Sequence, residues 1–477
     1  MAHFYRWSIG GVLQRSVRDH GLAQQKVSCC GSAKCGASVL LDNSREPARQ
    51  GGGKMPAQLR APRIDDCVAP SIEDLVSVER ALAIGLAEVR PIVETERLDL
   101  NDVTGRILAQ TIRADAPLPR FDYSAMDGYA VDTTSLSADI PNLLKVTGSI
   151  PARRTIGNPA LQRGCAVRIL TGAPIPAGAD AVVAQEDVRR EGDSVILSRP
   201  PRPSDNIRRR GEDVSEGDSL IEAGTAMGPL QAGLAAACGY PGVRVFRKLR
   251  VTMFTTGSEL RQPGESIQPG EIYDANRFIL RSLLGRPWIE MVDLGSCVDQ
   301  PSKLRAIFQS AAARADLIVS AGGISVGDED HVVEAFQRCG GKLWVRKVAI
   351  KPGKPLVLGK LADATYVGLP GNPGALFTTF KVIVDQILAV RAGIRPEGDH
   401  ECAAIANFDW KGRPGRRTYL PALLSGVENG FPLIELLPDA NSGKLHQLSR
   451  AGGFVVVSPE TTCIERGAKI RWRPFAR

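Results

Sequence analysis

The spacing of apolar positions divides the chain into stretches of different period. Ser71 followed by Asp74 reads as a capping-box-like helix start, and Val78, Leu82, Leu86 and Val89 share one face of the helix it opens. Residues 117–210 are rich in Pro and Gly, with short β-like runs and few helical stripes, as expected of a small β domain inserted into a helical one. A helical stretch with Leu230, Leu234 and Cys238 resumes over 229–246 and stops at Gly239 and Gly242.

From 250 to about 395 strand and helix patterns alternate. Arg250–Thr255 runs into Thr256-Gly257-Ser258-Glu259, Asp316–Ser320 into Ala321-Gly322-Gly323, and Thr365–Leu369 into Pro370-Gly371-Asn372-Pro373-Gly374. Apolar strands ending in Gly-rich turns before helices predict an open parallel α/β sheet, whose ligands bind at the carboxyl ends of its strands. The last helix is well marked. Asn372 can cap it, Pro373 suits its first position, Gly393 can end it, and Leu376, Phe380, Ile383, Ile387 and Val390 form its apolar stripe. Beyond Pro396 the pattern turns β-like again, predicting a small C-terminal barrel or sandwich.

Composition narrows the function classes. Across 477 residues the apolar share is 43% and the charged share 23%, ordinary for a globular protein and too apolar for disorder throughout. No run of ~18 consecutive apolar residues occurs, so no transmembrane helix is expected. Aromatics at 5% argue against a base-stacking surface for single-stranded nucleic acid. The net charge of +8 is concentrated in residues 1–54, where eight Lys/Arg face three Asp/Glu. The remaining chain is nearly neutral, which gives no general nucleic-acid footprint. That opening segment lacks apolar periodicity and a secretory h-region, so a disordered or mis-started extension is expected, with Met55 as the working start. The ten Cys include no tandem CxxC pair. Scattered thiols and no signal peptide predict a reducing, cytoplasmic setting.

The candidate chemistry lies at the strand ends. Gly-rich turns and helix N-termini offer backbone N–H groups to oxyanions. Lys347, Lys351 and Lys354 stand within a short segment whose Pro352, Gly353 and Pro355 stiffen it, which points to an anion site. Acids gather in loops at Asp127, Asp213, Glu259, Asp299 and Asp330. Carboxylates beside phosphate cradles are what Mg²⁺ with a phosphorylated substrate requires. Plainer readings stand beside these: Asp299 before Gln300-Pro301 as a helix N-cap, Asp127-Gly128 as a turn, and Arg208–Arg210 as a solvated charge run. No His sits beside a Ser or Cys in a nucleophile motif, which argues against a hydrolase triad.

These motifs, in order, resemble a known family. Pro117-Leu118-Pro119-Arg120-Phe121-Asp122-Tyr123-Ser124-Ala125-Met126-Asp127-Gly128-Tyr129-Ala130 is similar to a signature of the molybdopterin molybdenumtransferases, the MoeA type that includes the E domain of gephyrin. So are Thr171-Gly172-Ala173-Pro174, Arg210-Gly211-Glu212-Asp213, Thr256-Gly257-Ser258-Glu259-Leu260 and Ser320-Ala321-Gly322-Gly323-Ile324-Ser325-Val326-Gly327. The lysine segment and Leu369-Pro370-Gly371-Asn372-Pro373 complete the likeness, which spans roughly residues 72–470. Tyr123 stands where the family usually has Asn, and Gly374-Ala375 where it has Val-Ser.

The resemblance implies Mg²⁺-dependent insertion of metal from molybdate into adenylylated molybdopterin, with release of AMP. It implies a homodimer of four-domain subunits, with other molybdenum-cofactor biosynthesis proteins as further partners. The divisions would be 1–70 as extension, 71–116 with 214–248 as helical domain I, and 117–213 as inserted β domain II. A doubly wound, molybdopterin-binding α/β domain III (249–396) and a β-barrel domain IV (397–477) would follow. The cleft would take Asp127, Thr171 and Asp213 from one subunit, and Glu259, Asp299, Asp330, Lys347 and Lys351 from the other. Asp330 and Glu259 would hold the metal or orient water. Gly322, Gly323, Ser325, Gly371, Asn372 and Lys354 would cradle phosphate, with Arg417 and Ser442 the nearest matches in the last domain. Two other readings fit the same residues. One is a paralogue that binds molybdopterin or molybdate without efficient insertion. The other is a non-catalytic scaffold, with residues 1–54 as its candidate interaction tail.

Overall fold

The computed structural model describes residues 75–138, 141–153, 160–324, 331–395, 401–438 and 443–475. The proposed helix start at Ser71 lies outside these. The first described helix, α1 (Val78–Glu88), is capped by Ser77, whose hydroxyl accepts from Arg80 N at 3.1 Å. Its buried face is Val78, Ala81 and Gly85, with Leu82 and Leu86 at the flank. Small residues let α1 press close to the α/β core: a Cβ on Gly85 would lie 3.2 Å from Ile387 and 3.3 Å from Leu358.

The chain then builds a small layer that it completes only on its return. Thr95–Asp99 pairs antiparallel with Gly242–Phe246, and Ile112–Arg113 with Ser219–Ile221. Helix α2 (Pro229–Ala237) joins them around Val103, Leu108, Met227 and Val243. Between these halves stands a six-stranded sheet in the order Ala181–Ala184, Gly128–Val131, Cys165–Ile169, Asn142–Ile150, Ser194–Leu197, Val188–Glu191. Its strands alternate in burial where one face is wet, as in Asn142–Ile150.

The α/β sheet runs Ile289–Cys297, Leu249–Thr256, Leu317–Ala321, Ala364–Leu369, Pro355–Leu361, Lys342–Lys347. The first four strands are parallel, as the alternating pattern predicts, but Pro355–Leu361 pairs antiparallel with both Ala364–Leu369 and Lys342–Lys347. The physical reason is connection length. A parallel return needs a crossover of a dozen or more residues, whereas Leu361 and Ala364 are joined by a tight turn with Ala362 at φ +52°. Helices α3 (Ala275–Leu284), α4 (Pro301–Ala312) and α5 (His331–Arg338) cover the sheet.

The 19-residue core helix Pro373–Arg391 starts under the Asn372 cap with Pro373 at its first turn. It is long and apolar enough to cross a membrane, yet Leu376, Phe380, Ile383 and Ile387 are buried in the protein's own core. Five further strands close a barrel: Arg417–Glu428, Phe431–Leu436, Cys402–Ala406, Lys469–Pro474 and Gly453–Val457, the last pairing back onto the first. Ile350–Lys351 adds to its edge by pairing with Arg417–Thr418.

Candidate active site

Three parallel strands, Leu249–Thr256, Leu317–Ala321 and Ala364–Leu369, end at one edge, and their turns surround a cavity of about 340 Å³. Close approach of these ends depends on glycine. Gly322 sits at φ +95°, and a Cβ there would lie 2.2 Å from the Thr256 carbonyl oxygen. Gly323, at φ +59°, has Val332 and Asp299 in the same space. Gly371 lies against this turn, a Cβ on it falling 3.6 Å from Gly322 Cα, and its carbonyl is held by the Asn276 side-chain amide at 2.6 Å.

Glu259 and Asp299 bring two carboxylates to this cavity. Asp299 accepts the Thr256 hydroxyl, so it faces the strand end. The N-cap reading of Asp299 is corrected: α4 begins at Pro301 behind Gln300, which makes no side-chain cap bond. Asp274 also lines the cavity but serves structure. It accepts from Arg277 N at 3.0 Å, from Ser296 Oγ at 2.6 Å and from the Thr255 hydroxyl, capping α3. Asp274, Asn276 and Tyr273 went unnoticed in the sequence reading, although an Asp just before an apolar helical stripe is itself an N-cap signal. Asn372 caps the core helix, accepting from Gly374 N at 3.2 Å, while its neighbours Gly371 and Pro373 line the cavity.

The lysine segment is a hairpin between antiparallel strands, not the free extended loop its prolines suggest. Lys347 ends one strand, Lys351 pairs toward the barrel and Lys354 precedes Pro355, which lines the cavity. The three side chains have no hydrogen-bond or ion-pair partner among the described residues. Arg417 comes beside Ile350 in this arrangement, but its guanidinium is engaged by Glu79 of α1 at 2.5 Å. Ser325, Asp330 and Ser442 lie outside the described residues; Ile324, just before Ser325, lines the cavity.

A second group sits on the β domain. Asp127 accepts from both Thr171 N and Thr171 Oγ1 at 2.7 Å. These bonds, the backbone one foremost, hold its carboxyl below the usual range. Asp213 follows the Arg208–Arg210 turn, its N–H donating to Leu118 O at 3.1 Å. The arginine run is not simply solvated. The Asp122 carboxylate accepts from Arg210 N and from the Arg209 guanidinium, each at 2.7 Å, and is lowered by them. No residue of this group lines the 340 Å³ cavity, whose walls come from residues 256–373.

Among the described residues no cluster of three His, Cys, Asp or Glu is arranged to hold a metal ion. Mg²⁺ does not require one, since it binds through one or two carboxylates plus substrate phosphates. Glu259 and Asp299, in one cavity with glycine turns, fit that requirement.

Fold and cavity define a multidomain protein built around an α/β domain with a cavity at its strand carboxyl ends, where open α/β sheets bind ligands. Residues 76–239 match the MoeA N-terminal region (domain I and II), 252–389 a probable molybdopterin binding domain, and 403–475 the MoeA C-terminal region (domain IV). The molybdopterin molybdenumtransferase of Haemophilus influenzae is 34% identical over 407 residues, covering 84% of this chain and 99% of that one. Its namesake from Nostoc is 33% identical over 408 residues, covering 84% and 93%. The crystal structure of the molybdopterin biosynthesis moeA protein from Pyrococcus horikoshii superposes with a TM-score of 0.72 at 28% identity, covering 84% of this chain and all of that one. The chain belongs to the molybdopterin molybdenumtransferase family.

Proposed function

We propose that this chain is a transferase completing the molybdenum cofactor, inserting metal from molybdate into adenylylated molybdopterin with release of AMP. The observation that carries this reading is the cavity at the strand ends. It joins glycine turns, two carboxylates and a neighbouring hairpin of unpartnered lysines within the segment that matches a molybdopterin binding domain.

Water cleaves the phosphoanhydride, so AMP departs and the pterin keeps its own phosphate. Two molybdate oxygens leave as water as the dithiolene sulfurs take their places, with protons drawn from the thiols and solvent. Lys347, Lys351 and Lys354 attract the oxyanions as point charges, and the Gly322-Gly323 and Gly371 turns approach phosphate closely. Glu259 and Asp299 would hold Mg²⁺, with Asp330 as a further ligand or water-orienting group. The metal would neutralise phosphate charge.

A homodimer completes the site in this reading. Asp127, Thr171 and Asp213 of a second copy would face the cavity that their own subunit's β domain does not line. Exposed apolar side chains on both regions support it: Phe278, Val292 and Leu294 beside the edge strand Ile289–Cys297, and Phe121, Met126 and Leu230 on the first domains. Six described cysteines are unpaired, which supports a reducing cytoplasm.

The test is rescue of a bacterial strain lacking its own molybdenumtransferase. Restored molybdoenzyme activity at ordinary molybdate is expected. Rescue confined to high molybdate would show a binding paralogue, and none at all would remove the reading.

A further inference from the structure

The cavity lining is mixed, with glycine turns, Glu259 and Asp299 beside apolar Leu260, Ile272, Tyr273, Ile324 and Pro370. Tyr273 is the unexplained member. The residue is 45% exposed, and no other aromatic ring packs on it among the described residues. It is nevertheless held in place. Tyr273 pairs with Arg261 in a short parallel ladder, and its hydroxyl donates to Glu265 O at 2.8 Å. The 262–271 turn that receives this bond is itself braced, because Glu265 accepts from Gln262 N and Glu271 from Gln268 N, each at 2.8 Å. Asp274, the next residue, is anchored at the start of α3.

A tethered aromatic residue in a cavity lining that also carries glycine turns suits a ligand that is a planar heterocycle at one end and a phosphate at the other. We propose that Tyr273 is a specificity-determining residue whose ring stacks on the pterin ring, while the glycine turns take the phosphate. This rests on the molybdopterin reading above. It assigns the pterin ring to Tyr273 and leaves phosphate binding at the glycine turns independent of that side chain.

The experiment measures binding of molybdopterin and, separately, of inorganic pyrophosphate to the full-length wild type, Tyr273→Phe and Tyr273→Ala. Stacking on one base is worth enough that Tyr273→Ala should weaken molybdopterin binding about tenfold or more. Tyr273→Phe keeps the ring and loses only the tether to Glu265, so its affinity should stay within about twofold of wild type. Pyrophosphate affinity should be the same in all three. The proposal is overturned if Ala binds molybdopterin as wild type does, if Phe is as weak as Ala, or if pyrophosphate is lost in parallel. Wild type that takes up pyrophosphate but no molybdopterin overturns the function reading itself, and this assignment with it.

Discussion

Arg417 at the start of the longest barrel strand and Glu79 in the first turn of α1 form an ion pair at 2.5 Å, joining that helix to the C-terminal barrel. The guanidinium is largely covered and its Nε has no partner among the described residues. Arg417 therefore works first as a clasp. Truncating it to Ala should destabilise the protein by about 1–2 kcal/mol, because packing is lost with the charge. Glu79→Gln, on a more exposed side chain, should cost less than about 1 kcal/mol. Urea unfolding of both variants and the double variant gives the coupling. Additive losses would show that the pair contributes nothing.

Gly322 should tolerate no side chain. Its positive φ and the 2.2 Å approach to Thr256 O act together, so Gly322→Ala should cost roughly 3 kcal/mol or more and distort the cavity floor. Gly148 has nothing within 4 Å of its would-be Cβ, and Gly148→Ala should be nearly neutral. Melting temperatures of the two variants check this contrast. An unchanged midpoint for Gly322→Ala would mean that close approach of the strand ends does not require glycine here.

The same residues show how much of the site was legible in the sequence. Three apolar strand runs, each stopped by glycines, could be read directly, because a buried parallel strand and its tight turn leave a local signature. So could the core helix, whose cap, first-turn proline and stripe all fall where expected. The two antiparallel strands were hidden because the Pro-Gly hairpin between them resembles a loop when its pairing partner is unknown. α1 packs through Ala81 and Gly85, which a search for large apolar residues passes over. Asp299 shows the same limit. Spacing suggests a cap there, but the Thr256 hydroxyl that claims it lies 43 residues away and is visible only once strands are paired.

The Asp127–Thr171 pair makes a pH prediction. The carboxyl is held low, so its contribution is fully present above the ordinary Asp range and is lost as pH falls through the lowered folded value. Thr171→Val removes the hydroxyl donor and keeps the backbone one, and should raise the Asp127 value part of the way toward normal. Carboxyl titration followed by NMR on labelled protein checks the direction. A value unmoved by Thr171→Val would leave the hydroxyl bond without effect on the charged form.

A two-copy site has a sharper consequence. Asp127→Ala disables the β-domain side, and Lys351→Ala the α/β side, so each homodimer should be nearly inactive. If the halves come from different subunits, a mixed dimer holds one site carrying both substitutions and one carrying neither. Unfolding and refolding the two variants together at equal amounts yields half mixed dimers, hence about a quarter of wild-type activity. Molybdenum insertion per protomer, assayed beside the separately refolded parents, is the measurement. If each copy worked alone, every site would carry one substitution or the other. Mixing would then recover nothing, and the requirement for a second copy would fail.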